Sequence, residues 1–434
     1  MEKLWNFEQL LGLSPDHFTI RSGQGNAKKE RWLTLGNDQH LVWGEFNNKG
    51  RAPFLVLLNL NEMQFSCNCS SKKFPCQHMV GLHLLWYESA DLFTNQPLPK
   101  WARAYQTRNL QRWHRSQLAS NELISSNNLR LLQNGLSELE RWLHDLVQNG
   151  IATLTDRKKE YWVTIANRMA DIQAMALSQQ LTDLSKLGQS KPDWPETYLK
   201  RISPLAIMLE SFKRFEQQSE NAQADLLTAL GRPFPLSKNG RLPKFDQWLV
   251  LGHLHESIGQ QQQSSTWLWG LNHNQPAQVV QLHRGRHPVG TRFITGTILS
   301  GQLKFLSGSY PLTAQFVDKP VIKKGAQAQI GTTQINPSLD RFKAAKTQNP
   351  WLDRFPMVFR ELIPVLDNSR WFLLDDENYC LPLPKKFHYG WHLAALASDG
   401  GLTTFGLWDG TQFEPLSIQV NHVWIDLHTL RGIK

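Results

Sequence analysis

Four cysteines in 434 residues are too few for a disulfide framework. They are also badly placed for one: Cys67, Cys69 and Cys76 crowd into ten residues and cannot pair off among themselves, and Cys380 is remote. Reduced thiols and a cytoplasmic setting are the expectation. No run of 18 apolar residues occurs, and the opening MEKLWNFEQLLGL sets acids among its apolar residues, so neither a membrane span nor a secretory route is expected. A dense Lys/Arg block is missing as well. The net charge of +10 is spread along the chain, which is compatible with a polyanionic partner but fits an ordinary basic protein better. Catalytic signatures are absent too: there is no GxxxxGK[ST] loop, no HExxH and no nucleophile elbow, and Gly23-Gln24-Gly25 lacks the rest of a dinucleotide fingerprint. An enzyme is the weakest class.

What is present is a chain long enough for about two to four domains, with 17 tryptophans, more than packing alone usually recruits. Its most informative stretch is FSCNCSSKKFPCQHMVGLHLLW, from Phe65 to Trp86. Cys67, Cys69, Cys76 and His78 supply the four soft or borderline donors of a tetrahedral structural zinc site, so one structural Zn2+ is expected. Such a site fills every coordination position with protein atoms and leaves no place for a catalytic water. His83, five residues past His78, is the alternative fourth ligand and otherwise a half-buried packing histidine.

The surroundings suit a small ββα unit. Two apolar runs, Leu41 to Phe46 and Phe54 to Leu60, flank Asn47-Asn48-Lys49-Gly50 and predict a hairpin. A third strand should carry Phe65 into Cys67, because residues two apart on an extended chain share a face and could aim both sulfurs at one ion. Pro75 suits a helix entry, and Met79, Val80, Leu82, Leu84 and Leu85 predict a largely apolar helix with Cys76 and His78 on its first turn.

The run CNCSSKKFPCQH resembles the SWIM-type zinc finger, whose pattern is Cys-x-Cys, a variable gap, then Cys-x-His; all four positions match. The similarity extends to Trp43-Gly44-Glu45 and Pro53-Phe54, to GLSELERWLHDLVQNGIATL and RMADIQAMAL, and to GWHLAALASDGGLTTFGLWDG, so the whole chain looks like the long bacterial SWIM proteins. That resemblance implies a module for nucleic-acid or protein contact. It also implies partners of two kinds, a MoxR-type AAA+ ATPase and a von Willebrand factor A-type protein.

Beyond the finger, FTNQPLP from Phe93 to Pro99 reads as a linker. Leu136, Leu139, Leu143 and Leu146 place a stripe on a helix that Asn149-Gly150 should stop. A second pattern runs from about Asp156 to Leu187, with Arg168 and Asp171 read as an ion pair along it. Further helices are expected from Tyr198 to Phe215 and Ala222 to Leu230. The Gln260 to Ser265 run reads as a solvated loop and candidate boundary. From Thr266 short apolar runs between turn residues, WHLAALAS among them, predict a β-rich part, with Asp399-Gly400-Gly401 and Asp409-Gly410 as turns. The close histidine pairs His253/His255, His283/His287 and His388/His392, and the acids Asp375, Asp376 and Glu377, have no convincing metal context.

The expected fold class is therefore α+β and multidomain. Residues 1–92 form N-terminal strands plus the zinc module (core 43–86), 93–260 a helical domain, and 261–434 a β-rich domain. The expected function is a non-enzymatic, zinc-containing recognition protein, an adaptor that binds other proteins. The alternative is nucleic-acid binding through the finger, with Lys49, Lys72 and Lys73 as phosphate contacts.

Overall fold

In the computed structural model of the chain the described residues are 17–38, 41–60, 64–71, 73, 75–105, 125–150, 159–187, 194–232, 242–258, 261–284, 293–323, 329–397 and 401–428. The chain is α+β: an N-terminal sheet bearing the Cys/His group, a helical middle, and two β-sheets in the C-terminal part.

The N-terminal sheet has the order β4-β3-β2-β1-β5, built from β1 (Trp32–Asp38), β2 (Leu41–Asn48), β3 (Arg51–Asn59), β4 (Gln64–Cys67) and β5 (Thr94–Asn95). The predicted hairpin is β2–β3, with Phe46 opposite Phe54 and a turn in which Lys49 and Gly50 both take positive φ. One face of this sheet carries α2 (Gln77–Glu88), preceded in the chain by α1 (His17–Asn26). Eight consecutive residues of α2, His78 to Leu85, are buried, because Met79, Leu82 and Leu85 face the sheet while Val80 and Gly81 meet α1. Glycine is required at that crossing: a Cβ on Gly23 would lie 2.4 Å from Val80 Cγ1, and one on Gly81 2.7 Å from Asn26 Cβ. Of Gly23 and Gly25, Gly23 is thus a helix-packing glycine.

The middle is α3 (Ser126–Asn149), α4 (Lys159–Asp171), α5 (Met175–Leu184), α6 (Trp194–Lys213) and α7 (Glu220–Ala229). The predicted stripe of Leu136, Leu139, Leu143 and Leu146 is buried in one core with Trp162, Met169, Leu177, Leu181, Tyr198 and Leu226. Ser125 accepts from Asn128 N–H as the N-cap of α3, and Gly150 ends it with φ 80°. The pattern expected to run on to Leu187 is broken at Gln173, which takes φ 61°, while Ala174 N–H reaches back to Met169 O and Gln173 N–H to Ala170 O. That closes α4 as a helix would be closed by a glycine.

The second sheet, order β10-β9-β6-β7-β8 with β11 also on β9, comprises β6 (Lys244–Ile258), β7 (Gln261–Gly270), β8 (Gln275–Arg284), β9 (Ile298–Phe305), β10 (Ala314–Phe316) and β11 (Val321–Lys323). A parallel bridge from Gln278 to Thr313 brings β8 back to the segment leading into β10, so the sheet curls nearly into a barrel around Trp248, Leu268, Val279, Leu299, Leu303 and Phe316. The glutamine run does not form the expected solvated loop. Gln261 to Ser265 open β7 and pair rung by rung with both β6 and β8, so this sheet reaches back across residue 260 to Lys244. Paired neighbours on both sides override the weak strand propensity of glutamine.

The third sheet has the order β14-β13-β12-β15-β16-β17: β12 (Phe355–Asp367), β13 (Arg370–Leu374), β14 (Cys380–Pro382), β15 (Leu402–Trp408), β16 (Phe413–Val420) and β17 (Val423–Asp426), with α8 (Ile335–Gln348) and α9 (Gly390–Leu396). It packs against β6 through Leu249, Leu251, Trp267, Phe405, Leu407, Leu416 and Trp424, and Ser417 Oγ hydrogen-bonds Leu251 O across the join. WHLAALAS, expected as a strand, is α9: Leu393 packs inward while Trp391 and Leu396 stay exposed, a helical spacing. The bundle is fastened to the β part by Asp225 on α7. This buried carboxylate accepts from Ser309 N–H at 2.8 Å and Asn349 Nδ2 at 3.0 Å, and burial raises its pKa.

Candidate metal centre

The donors come together where the hairpin turn, the end of β4 and the start of α2 converge. Cys67 is the last residue of β4, and Cys69 follows two positions later. Between them Asn68 pins the strand end: its N–H donates to Leu55 O at 3.3 Å and its Oδ1 accepts Leu55 N–H at 2.8 Å. That anchorage turns the two flanking sulfurs toward one point. Cys76 is the N-cap of α2, where its sulfur takes Met79 N–H while its own N–H reaches Met79 Sδ at 3.4 Å. A thiolate here meets the positive end of the helix dipole.

His78 sits in the first turn of α2, and its ring is clamped by the cross-strand pair Phe46 and Phe54, with centroids 4.6 and 4.7 Å away. Its Nδ1 lies 3.8 Å from Cys67 Sγ and 4.0 Å from Cys76 Sγ. All four donor atoms fall within 4.8 Å of one another. Zinc bond lengths of about 2.3 Å to sulfur and 2.0 Å to nitrogen require tetrahedral edges of roughly 3.6–3.8 Å, so the group is close to the size that ion demands. Cys76 and His78 are buried and Cys67 and Cys69 half-buried, which leaves a site shielded on the protein side.

The three thiols hydrogen-bond one another. Hydrogen bonds from Cys67 and Cys76 hold Cys69 well below the ordinary thiol range. Donating to Cys69 and then to Cys76 drives Cys67 far above it. Cys76, pulled down by Cys67 but raised by Cys69 and by burial, settles at about 11. A dication among them would let all three ionise.

The alternative ligand His83 points elsewhere. It is fully buried under the helix rather than half-buried, 6.3 Å from the Phe65 ring, and its Nδ1 has no hydrogen-bond partner among the described residues. Burial lowers its pKa to about 4.

The three lysines assigned to phosphate contact fare unequally. Lys49 is exposed on the hairpin turn with φ 48°, one rung beyond the Phe46–Phe54 pair. Lys73 is exposed beside the donors with its Nζ 5.2 Å over the Phe18 ring. Lys72 lies outside the described residues.

Several of the polar residues considered elsewhere in the chain have structural partners. Arg168 pairs not with Asp171 but with Glu138 on α3, at 2.6 and 2.8 Å. Asp375 accepts from the N–H groups of Ile335, Glu377 and Tyr379, capping α8. Asp409 is the expected turn former, taking Thr411 and Gln412 N–H. His253 and His255 bond the hydroxyls of Thr266 and Ser264 across β6–β7. Among the described residues the Cys3His group is the one cluster of three or more Cys, His, Asp or Glu donors placed to hold a metal ion. No helix of the described residues is long and apolar enough to cross a membrane.

Comparison with known families adds a second, independent mark. Residues 128–230 match the SWIM-associated four-helix bundle domain. The match spans α3 to α7, so the bundle associated with SWIM modules and a Cys3His group consistent with a SWIM zinc module occur in one chain. No curated protein and no solved structure matches the chain.

The sequence pattern missed what holds the donors: the Phe46–Phe54 clamp, Asn68, and the Gly23–Gly81 crossing. Pairing rung by rung from the turn would have set Phe46 opposite Pro53, because a register shift between Phe46 and Asn48 creates the Phe46–Phe54 pair; the glycine crossing had no local signal.

Proposed function

We propose that the chain is a non-enzymatic recognition protein in which one structural zinc ion, held by Cys67, Cys69, Cys76 and His78, folds a SWIM module that serves protein contact. The observation that carries this reading is the closed donor set: four protein atoms at near-tetrahedral separations, backed by a hairpin and a helix, with the SWIM-associated bundle downstream. A four-ligand site supplies folding energy and has no vacant position for reaction chemistry. The protein acts as a cytoplasmic adaptor of the long bacterial SWIM form, working with an ATPase system. The partner classes are a MoxR-type AAA+ ATPase and a von Willebrand factor A-type protein, both carried over from the family resemblance. Affinity purification of the intact chain from its native host tests the adaptor role. Recovery of such a partner in stoichiometric amount is expected; zinc-loaded protein that brings down no protein overturns it.

A second reading, nucleic-acid binding through the module, is supported by the exposed cations Lys49 and Arg51 on the hairpin turn and Lys73 with Phe18 beside the donors. It requires affinity for single- or double-stranded nucleic acid that falls steeply with salt and loses slope in Lys49→Ala and Lys73→Ala. Salt-insensitive or absent binding removes it.

A further inference from the structure

The C-terminal part carries an exposed aromatic anchor that the finger reading does not use. Trp391, the second residue of α9, is 70% exposed although its ring lies 5.1 Å from that of Trp371 and nearly perpendicular to it. Trp371 is itself 9% exposed and is fixed from below: a Cβ on Gly390 would come within 2.0 Å of its Nε1, so its indole lies directly on the Gly390 backbone. An indole normally buries its area; here one is held outward by a second that cannot move aside. Leu366, opposite Trp371 in the β12–β13 register and 43% exposed, extends the apolar surface.

The rim is cationic. Leu383 N–H bonds Trp371 O, and Arg370 Nε bonds Leu383 O at 3.1 Å, so the strand leaving β14 runs beside Arg370 and Trp371 and then presents Lys385, Lys386 and His388, all exposed. From Asn378 to Ser398 the sequence holds no acid at all. Asp367 pairs in register with Arg370, and Asp375, Asp376 and Glu377 lie at the far end of β13 in the turn before β14.

We infer that Trp391, Trp371 and Leu366, with Lys385 and Lys386 on the adjoining loop, form a docking surface for an acidic protein segment that inserts an apolar side chain against the indole pair. This rests on the adaptor reading and adds the chemistry of the partner. A tryptophan that a partner would desolvate, beside lysines, suits an interface hot spot, and an anchor already held in its bound orientation loses little freedom on binding. The aliphatic Leu366 favours a peptide over nucleic acid, whose bases need flat stacking faces and gain nothing from an isolated leucine. The positive rim selects acidic partners and speeds their encounter.

The test is a photo-crosslinker, p-benzoylphenylalanine, at position 391 of the full chain in its native host. The crosslinked segment is then identified and made as a synthetic peptide. The expected adduct is a protein segment with an excess of Asp and Glu around apolar residues. That peptide should bind the intact protein and lose roughly tenfold or more in Trp391→Ala and in the double variant Lys385→Glu/Lys386→Glu. Circular dichroism should show both variants folded, since all three side chains are exposed. An adduct with nucleic acid, an adduct with a segment lacking acids, or unchanged peptide affinity in the variants overturns the inference. If a partner co-purifies with the wild type but no adduct forms at 391, this surface is wrong and the adaptor reading stands. If no partner co-purifies, the adaptor reading has failed first.

Discussion

The helical bundle and the metal module close their cores by different means. In the bundle, α3 to α7 pack Leu132, Leu136, Leu139, Leu143, Leu177, Leu181 and Leu226 around Trp162 and Tyr198, and the buried hydroxyl of Tyr198 is satisfied by Leu184 O and Leu187 O. In the module a five-stranded sheet has a single helix, α2, packed on it, and at the hairpin tip the role of core is taken by three sulfurs and a histidine under two phenylalanines. Apolar burial is distributed, so no one bundle residue is decisive. The module adds to its apolar core a group of four donors gathered at one point, where the loss of a single donor would be felt most.

The sharpest way to break that contrast is Cys76→Ala. It removes a donor and the N-cap of α2 together, and structural zinc contributes roughly 10–16 kcal/mol in small zinc modules. Zinc measured by mass spectrometry should fall from about one per chain to near zero. Hydrogen exchange should rise across α2 and β2–β4 while α3 to α7 keep their protection; zinc retained at the wild-type level would end the assignment. Leu139→Ala is the converse cut. Its side chain is wholly buried in the bundle, so chemical denaturation should show a loss of about 2–5 kcal/mol with zinc content unchanged.

His83 separates the two regions by pH. Its folded pKa of about 4 lies below the ordinary 6.5. The unfolded state therefore binds the proton more tightly, and stability contributed by keeping His83 neutral is complete above about pH 6.5 and lost as pH falls toward 4. The full span is worth about 3 kcal/mol. His83→Leu should flatten this acid limb for the module and leave the bundle's pH profile unmoved, and an identical limb in the variant would show the titrating group to be another. At the small end is Arg168→Ala. Its pairing with Glu138 is on the surface, and exposed pairs rarely move stability. The bundle's melting midpoint should not shift, and a measurable drop would mean that the α3–α4 contact depends on charge.

Legibility follows the range of the cause. The donor spacing and the ββα unit were readable because Cys67, Cys69, Cys76 and His78 sit within one short stretch and the strands are consecutive. The Leu136 to Leu146 stripe was readable because a helix writes its buried face into local spacing. What was lost depends on distant partners. Gln261 to Ser265 are strand because β6 and β8 lie on either side. Gln173 ends α4 in a conformation that sequence assigns to glycine. Gly23 has meaning only once α2 crosses it, and α9 is helical although its apolar run is too short to declare its period.

One packing detail bears on the order in which the chain can mature. Ile294, from the loop before β9, is buried in the core of the N-terminal module with Trp32, Leu85 and Phe93, and Ile322 on β11 packs beside it. Ile294 lies 206 residues beyond the end of α2 at Glu88. At about 5–20 residues per second, synthesis of that stretch takes roughly 10–40 s, during which the nascent module lacks a part of its own interior. The four donors, all made before Met79, are in place throughout that interval. Metal capture at the ribosome would hold the strands and helix in register until Ile294 arrives to complete the core.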